Sequence, residues 1–110
     1  MLLPIGRFSK MTRLSVKALR LYDQIGLLTP AHVDPSSGYR YYRLEQATQA
    51  ELIRSLRSVE MSLEDIGQIL AAQGSDSFRD RLLQHRQALA DRLAAQQQML
   101  AHIDSLLADI

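Results

Sequence analysis

The sequence predicts a mainly α-helical fold in two parts, a small helical head carrying one β-hairpin and then a single long helix. Three observations lead there. Short amphipathic segments over residues 5–28 give way to a run punctuated by Pro30, Pro35 and Gly38 and ending in the aromatic, basic cluster Tyr39 to Arg43. From Ser77 to Ile110 no proline or glycine interrupts leucine rows at heptad spacing. Charge is also divided: residues 1–43 hold seven basic and two acidic side chains, net +5, whereas residues 44–110 hold six and ten, net −4. A basic head on an acidic tail suits a polyanion-binding end joined to a part with another task, although an unevenly charged solvated surface would read the same way.

Pro4 to Phe8 reads as an extended lead-in, with Ser9 as N-cap of a first helix over about residues 9–13. Leu14 and Ser15 make a turn, and Ser15 caps the next helix. There Val16, Leu19, Tyr22 and Ile25 form an inward stripe, while Lys17, Arg20, Leu21 and Gln24 share the opposite face. Gly26 supplies the left-handed residue that ends it.

Leu27-Leu28 and Tyr39 to Tyr42 are the strand candidates, joined through Thr29 to Gly38 as a hairpin with a long tip. A third helix is expected from about Leu44 to Val59, with Leu44, Ala47, Leu52, Leu56 and Val59 as its apolar positions. Ser62-Leu-Glu-Asp is a capping box for a fourth helix to about Ala72, and Gln73 to Asp76 a break. Ser77 and Asp80 then start a helix of about thirty residues with two rows, Leu93, Leu100 and Leu107 in one and Leu82, Leu89, Gln96, Ile103 and Ile110 in the other. Within so short a chain little could cover that seam, so pairing with a second copy is the economical solution, and folding back on the head the alternative. Gln96 in the seam would cost stability and help set register.

DNA binding asks for cations at phosphate spacing and a few side chains at base edges. Lys17 and Arg20 on the exposed face of a capped helix suit the second role, since an arginine forked onto a guanine discriminates by about 1–3 kcal/mol. Lys10, Ser15 and Tyr22 can donate to phosphates near the helix ends, with Tyr22 also on the inward stripe. Strand alternation sends Tyr39, Tyr41 and Arg43 to one side and Arg40 and Tyr42 to the other, so part of this cluster is core. Val16 and Arg43 complete the candidate set.

Other chemistry finds little support. The chain has no cysteine, so neither disulfides nor thiolate ligands, as a reducing compartment permits. His32, His85 and His102 lack ligand spacing with carboxylates, and no triad order or glycine-rich phosphate loop occurs, so neither an enzyme nor a metal or cofactor site is expected. No apolar run is long enough to span a bilayer, and Met1 to Ile5 is too short for a signal peptide, so a cytoplasmic, nucleoid-associated location without membrane contact is expected.

The stretch Ser15-Val-Lys-Ala-Leu-Arg-Leu-Tyr-Asp-Gln-Ile-Gly closely resembles the second helix of the helix-turn-helix in the MerR family of transcription regulators, and the likeness continues through Gly38-Tyr-Arg-Tyr-Tyr. It covers residues 5–72 in motif detail and 77–110 in architecture alone. Val16-Lys-Ala-Leu-Arg, Val33-Asp-Pro and Tyr39-Arg-Tyr-Tyr look most like the BmrR-like multidrug-responsive branch; metal-sensing branches use cysteines absent here. The resemblance implies a winged helix-turn-helix head over residues 1–73, with Tyr39 and Arg40 as wing contacts to phosphate and Tyr42 as packing. It implies a dimerisation helix over residues 74–110 that forms an antiparallel coiled coil through Leu82, Leu89, Leu93, Gln96, Leu100, Ile103 and Leu107. Such homodimers bind a pseudo-palindromic promoter spacer in double-stranded DNA and bend and untwist it for RNA polymerase, a form of indirect readout.

Two departures matter. The family usually reads Arg-Tyr-Tyr-Asp where this chain has Arg20-Leu21-Tyr22-Asp23, so a contact by the first tyrosine is lost. Leu21 then either touches a thymine methyl or is a plain exposed leucine, the simpler reading. The resembling branch also carries an effector-binding domain after the coiled coil, whereas this sequence stops at Ile110. Truncation of a longer regulator is the expected reason, and a small-molecule effector is expected only with such a domain. Two alternatives compete with the regulator: an excisionase-like architectural DNA bender, which would not need the long helix, and a helical protein-interaction module, which would show no DNA affinity even at low salt.

Overall fold

The computed structural model describes residues 1–72 and 74–110. Gln73, and with it part of the expected break, lies outside the described residues. The elements run β1 (Leu2–Pro4), α1 (Ile5–Thr12), α2 (Val16–Gln24), β2 (His32–Val33), β3 (Arg40–Arg43), α3 (Gln46–Ser58), α4 (Leu63–Ala71) and α5 (Ser75–Ala108). The chain divides into two compact units, Met1–Gly67 and Gln68–Ile110, with the division falling within α4.

Strand β3 is the centre of a three-stranded antiparallel sheet ordered β1-β3-β2. Leu3 pairs with Tyr42 on one side and His32 with Tyr41 on the other. Of the expected lead-in, Pro4 to Phe8, only Pro4 is in a strand, β1, and the residues after it are already the first helix, which begins at Ile5 rather than after Ser9. Pro4 ends the strand and its fixed φ leads into a helix, and Phe8 and Thr12 form the buried side of α1. Ser9, which imitates an N-cap in the sequence, instead donates its hydroxyl to the Leu14 carbonyl oxygen. Arg13 adopts a left-handed φ of 63° and its N–H returns to the Ser9 carbonyl oxygen at 2.9 Å, closing α1.

Helix α2 starts as expected, with Ser15 Oγ accepting from the Ala18 N–H at 3.0 Å. Leu19 and Tyr22 are buried, but Ile25 is half exposed, because α2 ends at Gln24 and Gly26, at φ 74°, turns the chain away. Leu27 and Leu28 are consequently core residues of a turn, not a strand; their N–H groups donate to the Tyr22 carbonyl oxygen at 2.8 and 3.2 Å. The strand partner of β3 in the hairpin is His32–Val33. Its tip is built by Asp34, whose Oδ1 accepts from the Ser36 and Ser37 N–H groups at 2.7 and 3.3 Å, while Gly38 at φ 75° turns the chain back.

The buried stripe of α3 is Ala50, Ile53 and Leu56, whereas Leu44 and Val59 lie outside the helix and are exposed. Of the expected apolar positions Leu56 is buried and Ala47 and Leu52 are half-buried, while Ala50 and Ile53 carry the rest of the core face. Gln46 fixes that start: its side chain accepts from the Arg43 N–H at 2.8 Å and donates to the Thr29 carbonyl oxygen at 2.7 Å. Ser62 caps α4, accepting from the Asp65 N–H at 3.1 Å. In the core of the first unit Phe8 and Tyr42 stack with centroids 4.4 Å apart and planes 6° from parallel. Both are fully buried, as are Leu19, Ile53 and Ile66.

Helix α5 has 34 residues and begins two residues before the expected start at Ser77. At 1.5 Å per residue it is about 50 Å long. Every residue from Ala90 onward is exposed, including Leu93, Leu100, Ile103 and Leu107. Among the described residues no helix is long and apolar enough to cross a membrane.

Candidate nucleic-acid interface

Capping by Ser15 and burial of Leu19 and Tyr22 fix the rotation of α2, so that Lys17, Arg20, Leu21 and Gln24 all face solvent. With Ser15 and Ala18 they line one surface recess. Two cations and an amide one turn apart on a rigid helix are suited to donate to base edges and to the phosphates beside them.

The wing is attached to this helix by an ion pair. Arg40 Nε donates to Asp23 Oδ2 at 2.8 Å, with both side chains largely but not wholly covered. Among the described residues the terminal guanidinium nitrogens take no second partner, so Arg40 can brace the wing and still offer donors outward. Tyr39 is 67% exposed at the hairpin end. Tyr41 is half-buried with its ring beside His32, and Arg43 is exposed at the far end of β3. Tyr42 lies wholly inside, where burial foremost, and then the Asp23 charge, push its phenol above the usual range against the opposing pull of Arg40.

The remaining candidates differ in exposure. Lys10 is exposed on α1 and Val16 is half-buried at the start of α2. Tyr22 is only 6% exposed, so its ring is chiefly core. Ser15 has its oxygen engaged as an N-cap, with the hydroxyl proton still available to a phosphate. On α5, Leu82, Leu93, Gln96, Leu100, Ile103 and Leu107 are exposed and Leu89 half-buried. Among the described residues no group of His, Cys, Asp or Glu could hold a metal ion.

Two contributors were missed by sequence reasoning. Asp23 is the sole acidic residue before Asp34 in a cationic stretch, a usable signal for an internal ion pair. Gln46, which ties β3 to α3 and the segment before the wing, left no distinguishable signal.

Known proteins match this architecture. Residues 3–73 match the model of the MerR HTH family regulatory proteins, and residues 48–106 that described as MerR, DNA binding. The chain is 36% identical over 112 residues to the transcriptional regulator BrlR of Pseudomonas aeruginosa, covering 99% of this chain and 42% of BrlR. It is 40% identical over 83 residues to the multidrug-efflux transporter 1 regulator of Bacillus subtilis, covering 76% of this chain and 30% of that protein. The chain thus spans less than half the length of either relative. Among solved structures, EcmrR in its DNA complex superposes with a TM-score of 0.80 at 29% identity, over 96% of this chain and 38% of EcmrR. With a family model covering well over half its residues, on the fold and helix face just described, the chain belongs to the MerR family of helix-turn-helix regulatory proteins.

Proposed function

We infer that residues 1–73 are the DNA-binding part, and residues 74–110 the dimerisation part, of a transcription regulator that binds a pseudo-palindromic promoter spacer as a homodimer and distorts it to control transcription. The observation that carries this reading is the capped α2 presenting Lys17, Arg20 and Gln24 to solvent, with the wing tied to the same helix through Arg40 and Asp23. In this reading Lys17 and Arg20 reach base edges, and Lys10, Ser15, Tyr39, Arg40 and Arg43 supply phosphate contacts. Val16 and Tyr22 mainly position the helix.

One such head makes few contacts, so a second is needed for tight binding, and the exposed rows of α5 supply the means. Leu93, Leu100 and Leu107 with Leu82, Leu89, Gln96 and Ile103 pair with the same rows of a second copy, antiparallel by family resemblance. EcmrR, solved with DNA in the complex named EcmrR-RPo, supports assigning double-stranded DNA and RNA polymerase as partners here. No catalysis and no cofactor enter the reading, and its location is the cytoplasm, at the nucleoid. A small-molecule effector enters only through a further domain.

Selection of bound sequences from a pool of random duplex DNA, with the mass of the complex measured, tests this. An inverted repeat carrying two chains is the expected result. A dimeric protein that enriches no sequence would turn the reading toward a protein-interaction module.

A further inference from the structure

The exposed side of α2 carries two adjoining rows. Lys17, Arg20 and Gln24 form the polar one, and half-buried Ala18 with exposed Leu21, three residues apart, form an apolar one beside it, which the C-cap residue Ile25 continues past the helix end. Leu21 is 43% and Ile25 50% exposed. A single exposed leucine needs no explanation. This one lines the same recess as Ser15, Lys17, Ala18, Arg20 and Gln24, so a base edge engaged by those donors lies within reach of its methyl groups.

A thymine presents two features in the major groove, the O4 acceptor and the C5-methyl group, and small apolar side chains are the natural contacts of that methyl. We propose that Leu21, with Ala18 beside it, is a specificity-determining residue that selects thymine by burying its 5-methyl group next to the bases met by Lys17 and Arg20. The inference rests on the DNA-binding reading above. Leu21 follows Arg20 directly and stands one turn beyond Lys17. The selected thymine therefore falls within about two base pairs of the guanine or phosphate that Arg20 engages.

The test replaces thymidine by deoxyuridine, one position at a time, in a duplex recovered by selection, and measures affinity for the full chain. Deoxyuridine keeps every hydrogen-bonding group and lacks only the methyl. One position per half-site should bind about fourfold more weakly, the worth of one buried methyl group. In Leu21→Ala, a substitution an exposed helix position accepts readily, that difference should disappear. A duplex that binds well with no methyl-sensitive position overturns the proposal and leaves the regulator reading intact. Undiminished sensitivity in Leu21→Ala assigns the methyl to another residue and also overturns it. Failure to select any duplex overturns both readings together.

Discussion

Asp23 accepts a hydrogen bond from Arg40 at 2.8 Å, and this ion pair ties the last turn of α2 to the first residue of β3, seventeen positions along the chain. Its partial cover makes it stronger than a fully exposed pair and less costly than a fully buried one. Without the carboxylate the wing would lose, among the described residues, its side-chain ion pair to α2 and be held by the sheet and the core. A double-mutant cycle of Asp23→Asn and Arg40→Ala in chemical denaturation should return a coupling of about 0.5–1 kcal/mol. Coupling indistinguishable from zero would mean the pair does not hold the wing in solution.

The two arginines should respond differently to DNA sequence. Arg20→Ala should lower affinity and flatten preference at one base pair by about 1–3 kcal/mol, whereas Arg40→Ala should weaken binding about equally on all sequences. Competition of matched and mismatched duplexes measures both. Equal loss of preference in the two variants would contradict the division of roles.

Tyr42 is fully buried against Phe8, and its hydroxyl has no hydrogen-bond partner among the described residues. Tyr42→Phe keeps the stack and removes an unpaired polar atom, so stability should be unchanged or rise by about 1 kcal/mol. Tyr42→Ala should lose about 3–5 kcal/mol through the cavity it leaves. A substantial loss in Tyr42→Phe would reveal a partner for the hydroxyl.

These relationships also mark where the sequence was legible. Caps are local, so Ser15, Gly26 and Ser62 could be placed from neighbouring residues, and the length of α5 follows from a run without proline or glycine. Ser9 misled because a serine ahead of a short amphipathic run looks like a cap whether or not its backbone is already helical. Leu27 and Leu28 misled because a buried apolar pair has no period. The surface of α2 could be read from helical phase, but Asp23 with Arg40, and Phe8 with Tyr42, are meetings of distant segments that only the fold brings about.

Asp34 offers a test of the wing tip by pH. The Ser36 and Ser37 N–H groups bonded to its carboxylate hold its pKa below the ordinary 3.8. A depressed folded-state pKa means the tip's added order is present above the ordinary carboxylate value and is lost as pH falls through the lower folded value. Amide NMR shifts of Ser36 and Ser37 should therefore titrate together with an apparent pKa below 3.8. Titration at or above the ordinary value would show that the turn does not persist in solution.

In the proposed function two copies, joined through α5, present two α2 helices to one inverted repeat. Sedimentation equilibrium of the chain with its selected duplex, at moderate salt, tests it most directly, with a variant carrying Leu93→Asp and Leu100→Asp as comparison. Two chains per duplex are expected for the native sequence, and a monomer without tight binding for the variant. A single native chain on the repeat, or a monomeric variant that binds as tightly, would contradict it.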